Sequence, residues 1–162
     1  TAKMIDGPPA APLSSSRAAT VLTEQVRAAV GHGALLATEG EPDGCYFPHG
    51  VLTGVTPDNP AYRQELFGPV AQVYRAIDED DAIRIANDTP YGLGSYVFTT
   101  DREQALRVAD RLDTGMVFVN GVGLDAPELP FGGTKRSGFG RELGLLGIEE
   151  FMNKKLVRAR TW

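Results

Sequence analysis

Helical spacing of apolar residues predicts a long helix near the start of the chain, from Ser14 to Val30. Serine residues at its start can cap exposed backbone N–H groups, and glycines at positions 31 and 33 provide a stop signal. One face of this helix carries the apolar positions that we expect to be buried: Leu22, Val26, Ala29 and Val30.

Beyond this helix, short β-rich runs alternate with two further helical segments. The segment EDDAIRIANDT has acids in its first turn, and the segment DREQALRVADRLD begins at Asp101, a good N-cap residue. Strands or extended segments are predicted in the runs ALLAT, YFPHGVLTGV, VAQVYRAID, GSYVFTT and MVFVN. The inward-facing helix positions are predicted to be Ala82, Ile85 and Ala86, then Ala105, Val108, Ala109 and Leu112. This alternation predicts an α/β fold with three layers, a mostly parallel sheet flanked by helices.

The alternation ends after Asn120. Residues 121–140 have no clear period and are predicted to form loops, followed by a helix near Glu142 to Phe151 and a strand in KKLVRART. We therefore expect a lead-in over residues 1–12, a domain over residues 13–151, and a C-terminal strand over residues 152–162.

Composition limits the possible functions. The chain has 162 residues, of which 42% are hydrophobic, enough for one compact domain. A net charge of −5 without a long basic run argues against nucleic-acid binding. Cys45 is the single cysteine of the sequence, which excludes an internal disulfide and fits a reducing compartment. Since the sequence has neither a membrane-length apolar run nor a signal-peptide pattern, we expect a cytoplasmic protein.

Two short patterns suggest chemistry that their surroundings do not support. The run GVGLDA satisfies a dinucleotide fingerprint, but Pro127 and Pro130 block the helix that must follow it. Cys45 and His49 could form a nucleophile and base, but Pro48 prevents a helix that would bring them together. We therefore expect Cys45 to be structural.

The segment LPFGGTKRSGFGRELG, residues 129–144, combines repeated glycines with basic residues. The glycines either allow the backbone to approach a ligand closely or permit tight turns against a neighbouring domain. Its basic side chains fit either a binding site or an exposed surface: Lys135, Arg136 and Arg141.

Four ordered motifs together resemble the aldehyde dehydrogenase superfamily. They are QELFGPV at residues 64–70, ANDTPYGLGSYVFTTD at residues 86–101, GMVFVN at residues 115–120, and the glycine-rich segment at residues 129–144. The resemblance extends from about Leu13 to the C-terminus, and the form PELPFGGTKRSGFGRELG is most similar to succinate-semialdehyde dehydrogenases.

The resemblance implies an enzyme that oxidises an aldehyde to its carboxylic acid with NAD or NADP, through a cysteine thiohemiacetal, hydride transfer and thioester hydrolysis. It also implies that Glu65 binds the hydroxyls of the nicotinamide ribose and that Phe67 lies near the nicotinamide ring. A carboxylate can accept two hydroxyl hydrogen bonds, which suits this role. The alternative is that both residues form an ordinary lead-in to a strand.

The loop before Phe131 resembles the part of the family's substrate tunnel that varies with the aldehyde. Residues from Leu124 to Leu129, including Asp125, are therefore candidate tunnel residues together with Phe131. The alternative is that Phe131 packs under the glycine-rich turn.

The family's nucleophilic cysteine, general-base glutamate and Rossmann domain lie upstream of the matched segment, so we assign no catalytic residue here. We expect the isolated chain to be inactive, as the C-terminal portion of a dehydrogenase. The tail resembles the family's C-terminal strand, which implies a homo-oligomer formed through this edge. The competing hypothesis is a non-catalytic association module derived from the same fold.

Overall fold

The computed structural model describes residues 11–161, and this part of the chain divides after Ile85 into two compact units. The predicted lead-in over residues 1–12 therefore falls mostly outside the described residues, as does the last residue of the predicted C-terminal strand.

The first unit begins with helix α1, Ser16–Gly31. The Ser15 side chain caps it by accepting a hydrogen bond from the Ala18 N–H at 3.2 Å. The predicted face is confirmed for its first three positions and wrong for Val30, which is 44% exposed in the last turn. The buried positions of α1 are Ala19, Leu22, Val26 and Ala29.

Helix α1 shares a hydrophobic core with a three-stranded sheet and a short 3-10 helix at Pro60–Arg63. The strands are β1 (Leu35–Thr38), β2 (Gly50–Thr53) and β3 (Val70–Gln72). Strand β2 pairs antiparallel with β1 and parallel with β3. Asn59, which is 3% exposed, joins the helices: its amide donates to Ala29 O at 2.9 Å and accepts from the Ala61 N–H.

Helix α2 occupies Glu79–Asn87, close to its predicted bounds. Its predicted inward face is wrong at Ala82 and Ala86, which are exposed, whereas Ile85 is half-buried and Ile83 is the buried residue. The larger side chain buries more apolar surface, so packing favours Ile83 over either alanine.

The second unit contains two strand pairs and two helices. Strands β4 (Tyr91–Gly92) and β7 (Thr134–Lys135) are antiparallel, and β5 (Gly94–Val97) and β6 (Met116–Val119) are parallel. Helix α3, Arg102–Arg111, begins as predicted at Asp101, whose carboxylate accepts from the Glu103 and Gln104 N–H groups. The last helix, α4, is Gly144–Glu149.

The α/β class is confirmed, but a single mostly parallel sheet with three layers is not formed among residues 11–161. The strands there form three separate small sheets. Two of their four strand pairings are parallel and two are antiparallel. Each strand has only two to four residues. The strand expected over VAQVYRAID ends at Gln72, which pairs with Leu52 of β2.

The C-terminal region is also less regular than predicted. Residues 153–159 belong to no strand or helix and are exposed, so the predicted oligomerisation strand is not formed in the single chain. Helix α4 begins later than expected because Glu142 pairs through its backbone with Phe131, and Leu143 has a φ of 61°. A residue in the left-handed region cannot continue a right-handed helix.

Candidate functional site

The Glu-x-Phe-Gly-Pro segment lies between the 3-10 helix and β3, and backbone hydrogen bonds fix it near both ends. The Gln64 N–H donates to Ala61 O at 3.2 Å. The Gly50 N–H, at the start of β2, donates to Pro69 O at 2.9 Å. The segment is therefore held by elements that belong to the core of the first unit.

Helix α1 supports the same segment at two positions. The Gln25 side-chain N–H donates to the backbone oxygen of Glu65 at 3.1 Å. Gly68 lies so close to Leu22 that a Cβ at residue 68 would overlap the leucine side chain, with Leu13 Cδ2 a further 3.4 Å neighbour. Glycine is required here by close approach, because its φ lies outside the left-handed region.

Glu65 and Phe67 are both presented to solvent. The residue between them, Leu66, packs against the hydrophobic core, while Glu65 is exposed and Phe67 is 82% exposed. Within residues 11–161, no hydrogen bond or ion pair occupies the Glu65 carboxylate. Both its oxygens are thus available to accept hydrogen bonds from a ligand.

A cleft of about 610 Å³ lies beside Phe67, between this ring and the first turns of α1. Its lining combines apolar side chains with one cation, and includes Leu13, Arg17, Val21, Gln25, Phe67 and Gly68. An exposed carboxylate next to an exposed ring and an open cleft suits a ligand with hydroxyl groups and a flat heterocycle.

In the second unit, three of the candidate tunnel residues line one small cavity. Asp125, Leu129 and Phe131 contribute to a cleft of about 190 Å³ against strand β6, with Met116 among its other walls. Leu124 is not among the residues lining this cleft; it is 49% exposed and packs beside Gly121. Asp125, Leu129 and Phe131 therefore share one cleft, whereas Leu124 lies outside its lining.

The glycine-rich segment packs backbone against backbone. A Cβ at Gly115 would collide with the Gly132 carbonyl, and a Cβ at Gly132 would lie 2.6 Å from Gly140 O. Phe131 and Glu142 exchange two backbone hydrogen bonds, at 2.8 and 2.6 Å. These contacts favour turn packing inside the unit as the reason for the glycines, and they also fix the backbone of Phe131.

Two of the three basic residues in this segment have structural partners. The Lys135 ammonium is 3.0 Å from the Asp113 carboxylate and donates to Asn87 O at 3.0 Å. Arg141 donates to the Gly133 and Gly140 carbonyls. Arg136 is exposed. Lys135 and Arg141 therefore stabilise the fold, and of these three Arg136 is the one that extends into solvent.

The sequence interpretation missed the hydrogen bonds by which the Asn87 side chain joins two segments of the second unit. Its side chain donates to Arg111 O and accepts from the Asp113 N–H, both at 2.8 Å, and so joins the end of α2 to the segment after α3. An asparagine at a helix end is the available signal, but its partners are more than 20 residues away in sequence.

Other kinds of site have less support in the described residues. Cys45 is half-buried, and its Sγ lies 3.5 Å from the Ser16 hydroxyl at the start of α1. No helix begins in the GVGLDA run, so the run lacks the helix that a Rossmann fingerprint requires. Among residues 11–161 there is no cluster of three or more potential metal ligands, and no helix is long and apolar enough to cross a membrane.

Comparisons with known proteins agree on one family. The sequence model of the aldehyde dehydrogenase family matches residues 4–157. Succinate-semialdehyde dehydrogenase [NADP(+)] of Deinococcus radiodurans is 55% identical over 151 residues, which are 91% of this chain and 32% of that protein.

Solved structures give the same result. The crystal structure of succinic semialdehyde dehydrogenase from Streptococcus pyogenes with NADP+ matches with a TM-score of 0.86 and 43% identity, over 91% of this chain and 33% of that one. Betaine aldehyde dehydrogenase from Staphylococcus aureus with NAD+ matches with a TM-score of 0.81 and 35% identity, over 86% and 29%. The chain thus spans about a third of the length of these proteins.

Proposed function

This chain belongs to the aldehyde dehydrogenase family. We propose that it supplies part of the substrate-tunnel wall of an NAD(P)-dependent aldehyde dehydrogenase, together with Glu65 as the residue that binds the cofactor ribose, here called the ribose clamp. Such an enzyme oxidises an aldehyde to its carboxylic acid. Since the chain spans about a third of its relatives, the nucleophile and most of the cofactor site would be supplied by sequence outside these 162 residues.

The arrangement of Glu65 is the observation that carries this proposal. Its backbone is held by α1, while its carboxylate is exposed and has no partner within residues 11–161. The two carboxylate oxygens can accept one hydrogen bond from each ribose hydroxyl, which would orient the sugar and the ring attached to it. The nicotinamide ring of a bound cofactor would be the group that accepts the hydride.

Phe67 supports the same assignment. A strand lead-in does not require a phenylalanine that is 82% exposed, because leaving a large apolar side chain in water forfeits about 1.5–3 kcal/mol of burial. Its ring would regain that burial against the nicotinamide. We propose Asp125 and Phe131 as tunnel-wall residues on the basis of their shared cleft, with Leu124 at a more exposed position.

We propose succinic semialdehyde as the substrate to test first, because that is the aldehyde named for the Deinococcus and Streptococcus relatives. NADP is the first cofactor to test for the same reason, with NAD as the comparison. A cytoplasmic location remains our proposal, based on one free cysteine, Cys45.

The C-terminal segment is proposed to pair with a second copy of the protein. Residues 153–159 have no regular structure, and Leu156 and Val157 are 90% and 76% exposed. Forming an intermolecular strand would bury these side chains and satisfy exposed backbone groups. The same surface supports the second candidate function, a non-catalytic association module.

Mass spectrometry of the native protein distinguishes the two functions. We expect peptides contiguous with Thr1 and upstream of it, including a cysteine in a suitable segment. A native protein that starts near Thr1 would contradict the dehydrogenase proposal and leave the association module.

An activity measurement adds a second test. The complete protein should reduce NADP+ with succinic semialdehyde, whereas the isolated 162-residue chain should not. Steady cofactor reduction by the purified chain, abolished by Glu65→Ala, would overturn the expectation that the chain alone is inactive.

A further inference from the structure

We propose that Gln25 of α1 is a positioning residue that sets the orientation of Glu65 for the cofactor ribose. The inference rests on the proposed function, because it assumes that Glu65 binds this sugar. Gln25 is separated from Glu65 by 40 positions, and its Nε2 donates to the Glu65 backbone oxygen at 3.1 Å.

The position of Gln25 is itself fixed by the core. It lies between Leu22 and Val26, which are 1% and 4% exposed, and Ala29 one turn later is fully buried. Gln25 is half-buried, and its hydrogen bond to Glu65 lies at the solvent-exposed surface of the unit. The bond ties the Glu65 backbone to a helix that is itself packed into the core.

The hydrogen bond and the packing of Gly68 act on opposite ends of one short segment. Gln25 restrains the Glu65 carbonyl, and three residues earlier on α1 Leu22 packs against Gly68. The carbonyl restraint limits rotation of the peptide group that follows Glu65, which limits the directions open to its side chain. The Glu65 carboxylate has no partner of its own within residues 11–161, so these contacts act on its position through the backbone that carries it.

Precise orientation matters for this kind of ligand. A carboxylate that binds two neighbouring hydroxyls must place both oxygens at once, so a small rotation weakens both hydrogen bonds. The Gln25 amide N–H is engaged by the Glu65 carbonyl, and the side chain also lines the cleft beside Phe67. Its effect should therefore appear as weaker cofactor binding.

The test uses Gln25→Met in the complete dehydrogenase that carries this chain. Methionine keeps the length, neutrality and helix propensity of glutamine but removes the N–H donor. Gln104→Met is the matched control, because Gln104 also lies on a helix and its side-chain oxygen accepts a hydrogen bond from Thr99. Glu65→Gln is measured in parallel.

We expect Gln25→Met to raise the KM and Kd for the cofactor by about three- to tenfold, because a displaced Glu65 carboxylate would make weaker hydrogen bonds to the ribose hydroxyls. The KM for the aldehyde and the melting temperature should change no more than in Gln104→Met. A purely structural role would lower the melting temperature or the active fraction while the cofactor KM stayed constant.

The outcomes separate this inference from the proposed function. If Glu65→Gln weakens cofactor binding and Gln25→Met does not, the positioning role is overturned while the ribose clamp stands. If neither variant weakens binding, Glu65 is not the clamp and both proposals fail. A rise in cofactor KM for Gln25→Met, absent in Gln104→Met, supports the positioning role.

Discussion

Replacing Gly68 by alanine tests whether packing against α1 explains the glycine of the Glu-x-Phe-Gly-Pro segment. The added Cβ would overlap the Leu22 side chain and lie 3.4 Å from Leu13 Cδ2. Leu22 is only 1% exposed, so it cannot rotate away without disturbing other core residues. The backbone itself accepts alanine, because the φ of Gly68 lies outside the left-handed region.

The expected magnitude follows from two opposing terms. Overpacking a core costs about 1–3 kcal/mol, whereas replacing glycine with alanine stabilises by about 0.4–1 kcal/mol through the unfolded chain. Gly68→Ala should therefore lower the free energy of unfolding by roughly 1–2 kcal/mol. Leu22→Ala alone should cost about 2–5 kcal/mol, because it leaves a cavity in the core.

The double variant, Gly68→Ala with Leu22→Ala, tests this packing more directly than either single variant. Because the Cβ at residue 68 would enter the space vacated at Leu22, the combined loss should be smaller than the sum by about 1 kcal/mol or more. Urea unfolding of the chain, followed by circular dichroism, measures the free energy of unfolding of the wild type, the two single variants and the double variant, provided that their m-values agree.

Gly31→Ala is the matched control for this cycle. No atom lies within 4 Å of a Cβ at Gly31, in the last turn of α1, so the variant should be neutral or more stable. Wild-type stability in Gly68→Ala, or strict additivity with Leu22→Ala, would refute the packing explanation.

Three further predictions concern the site and its supporting contacts. Glu65→Gln in the complete enzyme should raise the cofactor KM about tenfold or more, since a charged acceptor is lost, and an unchanged KM would contradict the clamp. Lys135→Met should lower the free energy of unfolding by about 1 kcal/mol through loss of its bonds to Asn87 and Asp113, whereas exposed Arg136→Met should not, as urea unfolding can show. Burial, and secondarily Tyr62, raises the pKa of Tyr74 above 10.0, so its contribution to stability is complete below pH 10.0 and is lost as pH rises through the raised pKa. Tyr74→Phe should reduce that alkaline loss in unfolding experiments, and an identical pH profile would contradict it.

Local sequence signals predicted the helices better than their buried faces. Ser15 and Asp101 cap α1 and α3 as the pattern indicated. In α2, however, apolar residues occur at four neighbouring positions, so spacing alone does not decide which side is inward. The tertiary environment buries Ile83, a choice that depends on surfaces distant in sequence.

Strand lengths and the start of α4 depended on partners that local patterns do not specify. Residues 73–78 are strand-like in sequence, but the ladder between β3 and β2 ends at the pair of Gln72 and Leu52. Glu142 is a suitable helix residue, yet its backbone pairs with Phe131 instead. In both cases a long-range hydrogen-bond partner decided the conformation.

The candidate site was predictable only in part. The motif resemblance identified Glu65 and Phe67, which the fold leaves exposed beside a cleft. Gln25 could not be identified, because an isolated glutamine on an amphipathic helix gives no indication of a partner 40 residues away.

Two separate requirements apply at residue 65: the type of side chain, and the position in which the backbone holds it. The proposed ribose contact requires a carboxylate at residue 65, and a sequence motif can record such a requirement directly. The position depends on Gln25, Leu22 and Gly68, whose individual roles are ordinary hydrogen bonding and packing. Substitution of Gln25 should therefore alter cofactor affinity through the position of the Glu65 backbone, which is held by α1.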